Sequence, residues 1–288
     1  MMYTNLWYVA ESSSVVADQP VRVRMLGRDF VLFRDDVNQV ACLSDVCPHR
    51  GSSLSRGKCQ GDGTVSCPFH GWRFDRHGSC SKIPSQQNPD GDIPHGAKID
   101  AYPVEEKYGL IWVFLGDDVE NALPIIDIPE IESDDWRHAH YSDVWHANQH
   151  WSKMTDLDHV HLPIVHGIDF GGDNPFRPPD HKVEMANAES IMPKRAPDLD
   201  DWPLVRADRE DRLISAYWNI LRKLRNEGRQ IDRVKLDEMD RNGDYRVIPS
   251  PARKQGPDGW VFDTVPTIAA GEATGAKQEL ESVQLGAA

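Results

Sequence analysis

The sequence has no long hydrophobic run, and no stretch of about 18 apolar residues occurs in the chain. The N-terminal segment, MMYTNLWYVA, also lacks a basic stretch followed by an apolar run. The first absence argues against a transmembrane helix and the second against a secretory signal. We therefore expect a cytoplasmic protein with no membrane partner.

Cysteine and positive charge are also scarce. The chain of 288 residues has five cysteines, an odd number that does not suggest a secreted disulfide scaffold. Its 32 Lys and Arg are outnumbered by 46 Asp and Glu, so the net charge is −14, which argues against nucleic acid as a partner. Cys42 lies in an apolar run and is predicted to pack in the core, whereas Cys59 and Cys80 lie in polar segments predicted to be loops.

Hydrophobic patterning predicts a β-rich first part and a mixed second part. Short β-branched and aromatic runs predict strands at residues 21–26, 30–34, 37–43 and 110–115. Helical spacing of apolar residues predicts helices over 146–160 and within 208–241. A further strand is predicted at 260–262 and a closing helix at 279–285. Because Gly116-Asp117-Asp118 ends the last strong strand, we predict domains at 1–118 and 119–288.

Two short pairs of cysteine and histidine dominate the first domain. Cys47 and His49 form C-x-H, and Cys67 and His70 form C-x-x-H after 17 intervening residues. A Rieske [2Fe–2S] cluster has two Cys on one iron and two His on the other. A structural zinc site is the alternative, but zinc fingers usually group Cys with Cys and His with His, so the mixed pairs favour the cluster.

The first 118 residues resemble the N-terminal domain of Rieske non-heme iron oxygenases. The residues that carry the resemblance are CPHRG at 47–51, LSRG at 54–57, CPFHGWRFD at 67–75 and YGLIWVF at 108–114. The resemblance implies an α+β chain in which an all-β Rieske domain precedes a helix-grip-like catalytic domain with an antiparallel sheet.

A second candidate metal site follows in the pattern D-x2-H-x4-H, formed by Asp158, His161 and His166. Asp158 and His161 are predicted to share a helix face. Pro163 biases Leu162 out of helical geometry, so we predict a turn that returns His166 to His161. Two histidines and a carboxylate form the facial triad of non-heme Fe(II), which leaves positions open for O₂.

An alternative register of the second site uses Asp156 and His159 with His166, although its six-residue gap suits the pattern less well. The remaining histidines have less specific interpretations. His77 and His95 are predicted at the surface, and His138, His140, His146 and His150 are predicted to be partly exposed. Trp72 either shields the cluster or is an ordinary core residue.

The resemblance implies a role for each residue of the second site. His161 and His166 would hold the iron, and Asp158 would bridge an iron histidine to a cluster histidine of the next subunit in a homotrimer. The family's third iron ligand is an Asp near the C-terminus, and here this sequence departs from the family. In the matching register Ala276 occupies that position, with Asp263, Glu272 and Glu279 as alternative donors.

The activity that the resemblance implies is that of a terminal oxygenase, similar to the phthalate- and carbazole-type oxygenases with one subunit type. A reductase, with or without a ferredoxin, would supply electrons from NAD(P)H. With O₂ the enzyme would hydroxylate, dihydroxylate or oxidatively demethylate a small aromatic or cyclic substrate. The alternatives are a Rieske electron carrier, a catalytically impaired oxygenase paralogue and a zinc-stabilised binding module.

Overall fold

A computed structural model describes residues 2–147, 149–158, 160–169 and 212–231, the single positions 238, 248 and 250, and residues 253–256 and 259–262. The chain divides into two units. The first comprises the residues up to 125 and those from 231 onward, and the second comprises residues 126–230. None of the helices in the described ranges combines the length and the apolar character needed to cross a bilayer.

The first unit is built from short strands. They are β1 (Met2–Tyr3), β2 (Leu6–Ser12), β3 (Val21–Met25), β4 (Arg28–Arg34), β5 (Val40–Ser44), β6 (Lys58–Cys59), β7 (Val65–Ser66), β8 (Arg73–Phe74), β9 (Cys80–Lys82), β10 (Ala101–Tyr102), β11 (Val104–Lys107) and β12 (Leu110–Leu115). A 3₁₀-helix spans Leu54–Arg56. The hairpin of β14 (Arg253–Gly256) and β15 (Gly259–Phe262) belongs to the same unit, and the boundary between the two units falls within the two-residue strand β13 (Gln230–Ile231).

Three antiparallel sheets organise this unit, with strand orders β10-β5-β4-β3, β11-β12-β2 and β6-β7-β8-β9. The four predicted strands correspond to β3, β4, β5 and β12, and the structure confirms them. In β3 burial alternates with the two-residue period of a strand, so Val23 and Met25 are buried while Arg22 and Arg24 face solvent.

Strands β4 and β5 are buried on both faces. Val31 and Phe33 of β4 pack into the core that contains the strands β7 and β8, whereas Phe30 and Leu32 pack into the core that contains β12. Burial on both faces explains the continuous apolar run of β4. The sheet of β4 and β5 is therefore the middle layer between two hydrophobic cores.

The second unit contains four helices in its described part. They are α1 (Pro129–Glu132), α2 (Gln149–Leu157), α3 (His161–Val165) and α4 (Arg212–Asn226). Both predicted helices are present: α2 is shorter than the predicted 146–160, and α4 lies within the predicted range 208–241. Helix α4 ends shortly before Gly228, which has φ of 73°. Gly228 N donates to Arg225 O and Arg229 N donates to Leu224 O, which is a Schellman arrangement.

The predicted antiparallel sheet of the second domain falls on residues that lie largely outside the described ranges, and the predicted closing helix at 279–285 lies wholly outside them. Residues 260–262, predicted as a strand, lie in β15. Two residues from the later part of the chain, Ile248 and Ser250, are buried within the first unit. Tyr102 Oη donates to Ile248 O at 3.1 Å, and Ser250 Oγ donates to Ala101 O at 2.6 Å.

Arg34, at the end of β4, ties the middle layer to its neighbours. Its guanidinium donates to the carbonyls of Ser13, Val16 and Asn38 at 2.7 to 3.1 Å. It also makes a bidentate pair with Glu106 of β11, at 2.9 and 3.1 Å. Because five N–H groups meet five acceptors, the planar fork of arginine suits this position and lysine does not.

We expect Arg34→Ala to lower the free energy of unfolding by about 1–3 kcal/mol, since it leaves three backbone carbonyls without their arginine donor. Chemical denaturation followed by circular dichroism measures the change. Arg22→Ala is the matched control, because Arg22 forms an exposed ion pair with Asp29 and its loss should leave the midpoint nearly unchanged. Equal effects of the two substitutions would contradict this role for Arg34.

Candidate metal centres

The two Cys/His pairs lie on two loops with the same backbone hydrogen bonding. Cys47 N donates to Ser52 O at 2.9 Å and Gly51 N donates to Cys47 O at 2.9 Å. In the second loop Cys67 N donates to Trp72 O at 2.8 Å and Gly71 N donates to Cys67 O at 3.0 Å. We call residues 47–52 loop 1 and residues 67–72 loop 2. Each loop is closed by its own backbone, so the ligand positions are fixed locally.

Glycine is required at the equivalent point of each loop. Gly51 has φ of 71° and Gly71 has φ of 72°, in the left-handed region that disfavours other residues. At Gly71 a Cβ atom would also lie 3.2 Å from Pro84 Cγ, which is a tight contact. The backbone conformation of the loops thus explains the glycine that ends the His-Arg-Gly sequence of loop 1 and the His-Gly sequence of loop 2.

The loops bury the sulfur atoms and expose the imidazoles. Cys47 and Cys67 are 2% and 3% exposed and belong to the core between the middle layer and the β6-β7-β8-β9 sheet. His49 and His70 are exposed, and their ring centroids are 4.6 Å apart. Two thiols therefore lie on the inner side of the site and two imidazoles on its outer side.

Burial raises the pKa of Cys47 to about 12, and the neighbouring Cys67 thiol raises it as well. Backbone N–H groups of His49 and Arg50 hydrogen-bond the Cys47 sulfur and act in the opposite direction. These donors are suited to a metal-bound thiolate, because N–H groups directed at sulfur stabilise its negative charge. Metal binding would release the thiol proton.

The pKa of His49 is lowered by partial removal from water and by the positive charges that His70 and Arg50 can carry. A lowered pKa favours the neutral imidazole, which is the form that binds metal. In the described part of the chain, no three His, Cys, Asp or Glu side chains are grouped to hold a metal ion. The donors are instead divided into a pair of thiols and a pair of imidazoles, a division that fits the two irons of a Rieske cluster.

Asp45 fixes the start of loop 1 through hydrogen bonds to Ser55. Its carboxylate, in a residue 2% exposed, accepts from Ser55 N at 2.7 Å and from Ser55 Oγ at 2.6 Å. Ser55 lies in the 3₁₀-helix that follows loop 1, and Asp45 lies two residues before Cys47. The sequence did not reveal this contact, although an acid preceding the loop and a Ser following it are compatible with such a bond.

The second site brings His161 and His166 together. Their ring centroids are 5.3 Å apart in an edge-to-face arrangement, and Asp158 Oδ2 lies 3.5 Å from His161 Nδ1. His161 Nδ1 is buried and makes no hydrogen bond to the described residues. His166 is exposed. The two imidazoles and the carboxylate are thus near one another, as the spacing predicts.

The local backbone differs from the prediction for this segment. Asp158 does not continue a helix shared with His161, because α2 ends at Leu157 and the Asp158 Oδ1 accepts from Val160 N at 3.0 Å and His161 N at 3.3 Å. The turn therefore precedes His161. The prediction that Pro163 breaks the helix is wrong, since Leu162 and Pro163 lie in the first turn of α3, where proline needs no N–H partner.

The alternative register is only partly described. Asp156 is exposed and pairs with Lys153 at 3.5 Å, while His159 lies outside the described residues. The candidates for a third iron ligand also lie outside them. These are Asp263, Glu272 and Glu279, and Ala276, which occupies the family's ligand position, lies outside the described residues as well.

The other predicted residues have varied environments. His95, His138, His140 and His146 are exposed and His77 is half-buried. His150 is buried instead of partly exposed, and its Nδ1 lies 2.8 Å from Tyr217 Oη. Cys42 is buried as predicted, whereas Cys59 and Cys80 lie on strands rather than in loops. A pairing between α2 and α4 is not evident from the sequence.

Comparisons with known proteins agree with the geometry of the first unit. Residues 5–103 match the family model of the Rieske [2Fe-2S] domain. The chain is 31% identical over 140 residues to aminopyrrolnitrin oxygenase PrnD of Pseudomonas fluorescens, an alignment that covers 47% of this chain and 38% of that protein. It is 38% identical over 133 residues to 4beta-methylsterol monooxygenase of Methylococcus capsulatus, with 46% and 36% covered.

A solved structure shows a similar arrangement. The crystal structure of dicamba monooxygenase bound to 3,6 dichlorosalicylic acid is 30% identical, with a TM-score of 0.51 over 57% of this chain and 48% of that chain. Residues 5–103 thus match a Rieske [2Fe–2S] domain, and the proteins to which the chain is similar include oxygenases. It spans less than half the length of the two curated relatives named above.

We expect Cys47→Ala to abolish the Rieske electron paramagnetic resonance (EPR) signal of the dithionite-reduced protein, because the cluster cannot keep both irons with one thiolate. Cys42→Ala is the matched control, since Cys42 is equally buried but packs in the other core. The control should retain the signal. Retention of a normal signal in Cys47→Ala would disprove this ligand assignment.

Proposed function

We propose that the chain is the terminal oxygenase component of a Rieske non-heme iron system, acting on a small aromatic or cyclic substrate. The observation that carries the proposal is the presence, in one chain, of two Cys/His loops and a downstream pair of histidines, His161 and His166, beside Asp158. The homologues named above are oxygenases of such substrates by name, which supports the same class of activity.

The proposed metal assignments follow from the donor sets. Cys47, His49, Cys67 and His70 would hold the [2Fe–2S] cluster, and His161 and His166 would hold a mononuclear Fe(II). When bound, the cluster supplies single electrons and the ferrous ion supplies open coordination positions for O₂. The third ligand of the ferrous ion is left unassigned.

Asp158 is proposed to orient His161. One carboxylate oxygen is occupied by two backbone N–H groups, so the carboxylate is held in place. The other oxygen lies 3.5 Å from His161 Nδ1 and can accept its proton, which leaves Nε2 as the metal-binding nitrogen. A carboxylate at this point could also accept an N–H from a cluster histidine of a neighbouring subunit, as the resemblance to the family implies.

Several finer features remain part of this proposal. They are a homotrimeric assembly, the phthalate/carbazole-type subgroup, a cytoplasmic location, domains at 1–118 and 119–288, and electron supply from NAD(P)H through a reductase, with or without a ferredoxin. The net charge of −14 is compatible with a positively charged electron donor.

A second candidate function is that of a Rieske electron-transfer protein or a catalytically impaired oxygenase paralogue. The observation that favours it is Ala276 at the position where the family carries its third iron ligand. A site with only two imidazoles binds Fe(II) more weakly than a complete facial triad. Iron content separates the two candidates, because the oxygenase holds about three irons per chain and the carrier about two.

We expect His161→Ala to lower the iron content from about three to about two per chain and to abolish turnover, while the cluster EPR signal stays intact. The reason is that the ferrous ion loses one of its two imidazoles. His159→Ala serves as the control for the alternative register and should leave all the iron in place. Iron loss in His159→Ala alone would favour the alternative register, and cluster loss in His161→Ala would refute the assignment.

We expect Asp158→Asn to keep both kinds of iron but to slow substrate-dependent reoxidation of the reduced cluster by about 10- to 100-fold, the usual effect of losing a carboxylate that orients a metal-binding histidine. Stopped-flow absorbance with dicamba as the probe substrate measures the rate. Asp156→Asn, which removes an exposed carboxylate paired with Lys153, is the control. Equal rates in the two variants would argue against the role of Asp158.

A further inference from the structure

Trp72 contacts both ligand loops in two different ways. Its carbonyl accepts from Cys67 N at 2.8 Å and so closes loop 2. Its indole ring stacks on His49 of loop 1, with ring centroids 4.6 Å apart and planes inclined by 4°. The equivalent position of loop 1 is Ser52, which accepts from Cys47 N but has no ring to offer to the other loop. The Trp72 ring that stacks on a histidine of the other loop therefore has no counterpart in loop 1.

The two candidate iron-binding imidazoles are consequently not equivalent. His49 is covered on one face by a parallel indole. Within the described ranges, His70 meets its ring neighbours only at an angle, with Phe69 inclined by 38° and His49 by 57°. Parallel stacking restricts rotation of a ring about its Cβ–Cγ bond more than a tilted contact does, because the whole face is in contact.

Trp72 is itself held by the hydrophobic core. The indole packs against the core cluster that contains Cys47, Cys67 and Phe74. Its backbone is fixed by the bond that closes loop 2. The ring that covers His49 thus belongs to the rigid part of the unit, whereas Phe69 is 58% exposed.

We propose that Trp72 is a positioning residue that fixes the ring plane of His49 and keeps water from one face of this ligand. This inference rests on the proposed ligand assignment. It goes beyond that assignment because it gives one imidazole a parallel ring on one face, while the other has only tilted ring contacts within the described residues. Water and an electron-rich ring both affect the potential of an iron–sulfur cluster, so the shield also favours the oxidised state, which carries less negative charge.

The test compares Trp72→Leu with wild type by pulsed EPR of the dithionite-reduced protein. Two nitrogen couplings, one from each imidazole, are expected in wild type. In Trp72→Leu one coupling should broaden or shift while the other is unchanged. The ratio of reduced to oxidised cluster at a fixed potential should rise by about three- to tenfold, since the newly open face admits water that stabilises the added negative charge.

Trp72→Phe keeps a ring at this position and should restore most of the wild-type coupling and potential. Trp7→Leu is the matched control, because Trp7 packs edge-to-face on Phe114 in the sheet that does not carry the loops. It should lower the melting temperature without moving either coupling. If Trp72→Leu fails to load the cluster, Trp72→Met replaces it, since Met fills the space without a ring.

Unchanged couplings and potential in the variant without a ring, or equal changes in both couplings, would overturn the role of Trp72 alone. A wild-type spectrum without two nitrogen couplings would overturn the ligand assignment and, with it, the role of Trp72. The two failures are therefore distinguished by the wild-type spectrum.

Discussion

The burial of Cys47 and Cys67 in the core is the constraint on which the site depends. Both thiols pack with Val31, Phe33 and their neighbours, so the inner ends of the two loops are part of the hydrophobic core. The imidazoles of His49 and His70 are exposed at the outer ends. A site built this way holds sulfur in a medium of low dielectric and leaves its nitrogen side accessible to solvent.

The layered arrangement of the first unit explains why these loops can be rigid. Strands β4 and β5 have a core on each face, and the loop that carries Cys47 follows directly from β5. Arg34 and Asp45 add polar contacts at the two ends of this layer. Arg34 donates to Glu106, which is distant in the chain, and Asp45 accepts from Ser55 in the 3₁₀-helix that follows loop 1. Because the loops are closed by their own hydrogen bonds, the layer has only to fix the residues at which each loop begins.

The two Cys/His pairs and the main strands could be recognised in the sequence because each is a pattern of residues close together in the chain. C-x-H and C-x-x-H are local patterns, and the strands β3, β4 and β12 are continuous or alternating apolar runs. The contacts of His150 with Tyr217 and of Ser250 with Ala101 join residues far apart in the chain, so periodicity gave no signal for them. The end of α4 lies between these two cases. Gly228 is a local signal for the end of a helix, but the spacing of apolar residues, on which the helix prediction rests, does not include it.

The error at Pro163 shows how the second site is built. The spacing of His161 and His166 predicts a break in the helix between them, and Pro163 is the residue expected to cause it. The structure puts the break one turn earlier, at Asp158, whose carboxylate binds the backbone of Val160 and His161. The two histidines then occupy opposite ends of the single short helix α3, close enough for their rings to touch. Asp158 therefore binds the backbone that starts this helix and also places a carboxylate oxygen 3.5 Å from His161 Nδ1. A change at Asp158 alters both the backbone that positions the two histidines and the charge beside His161.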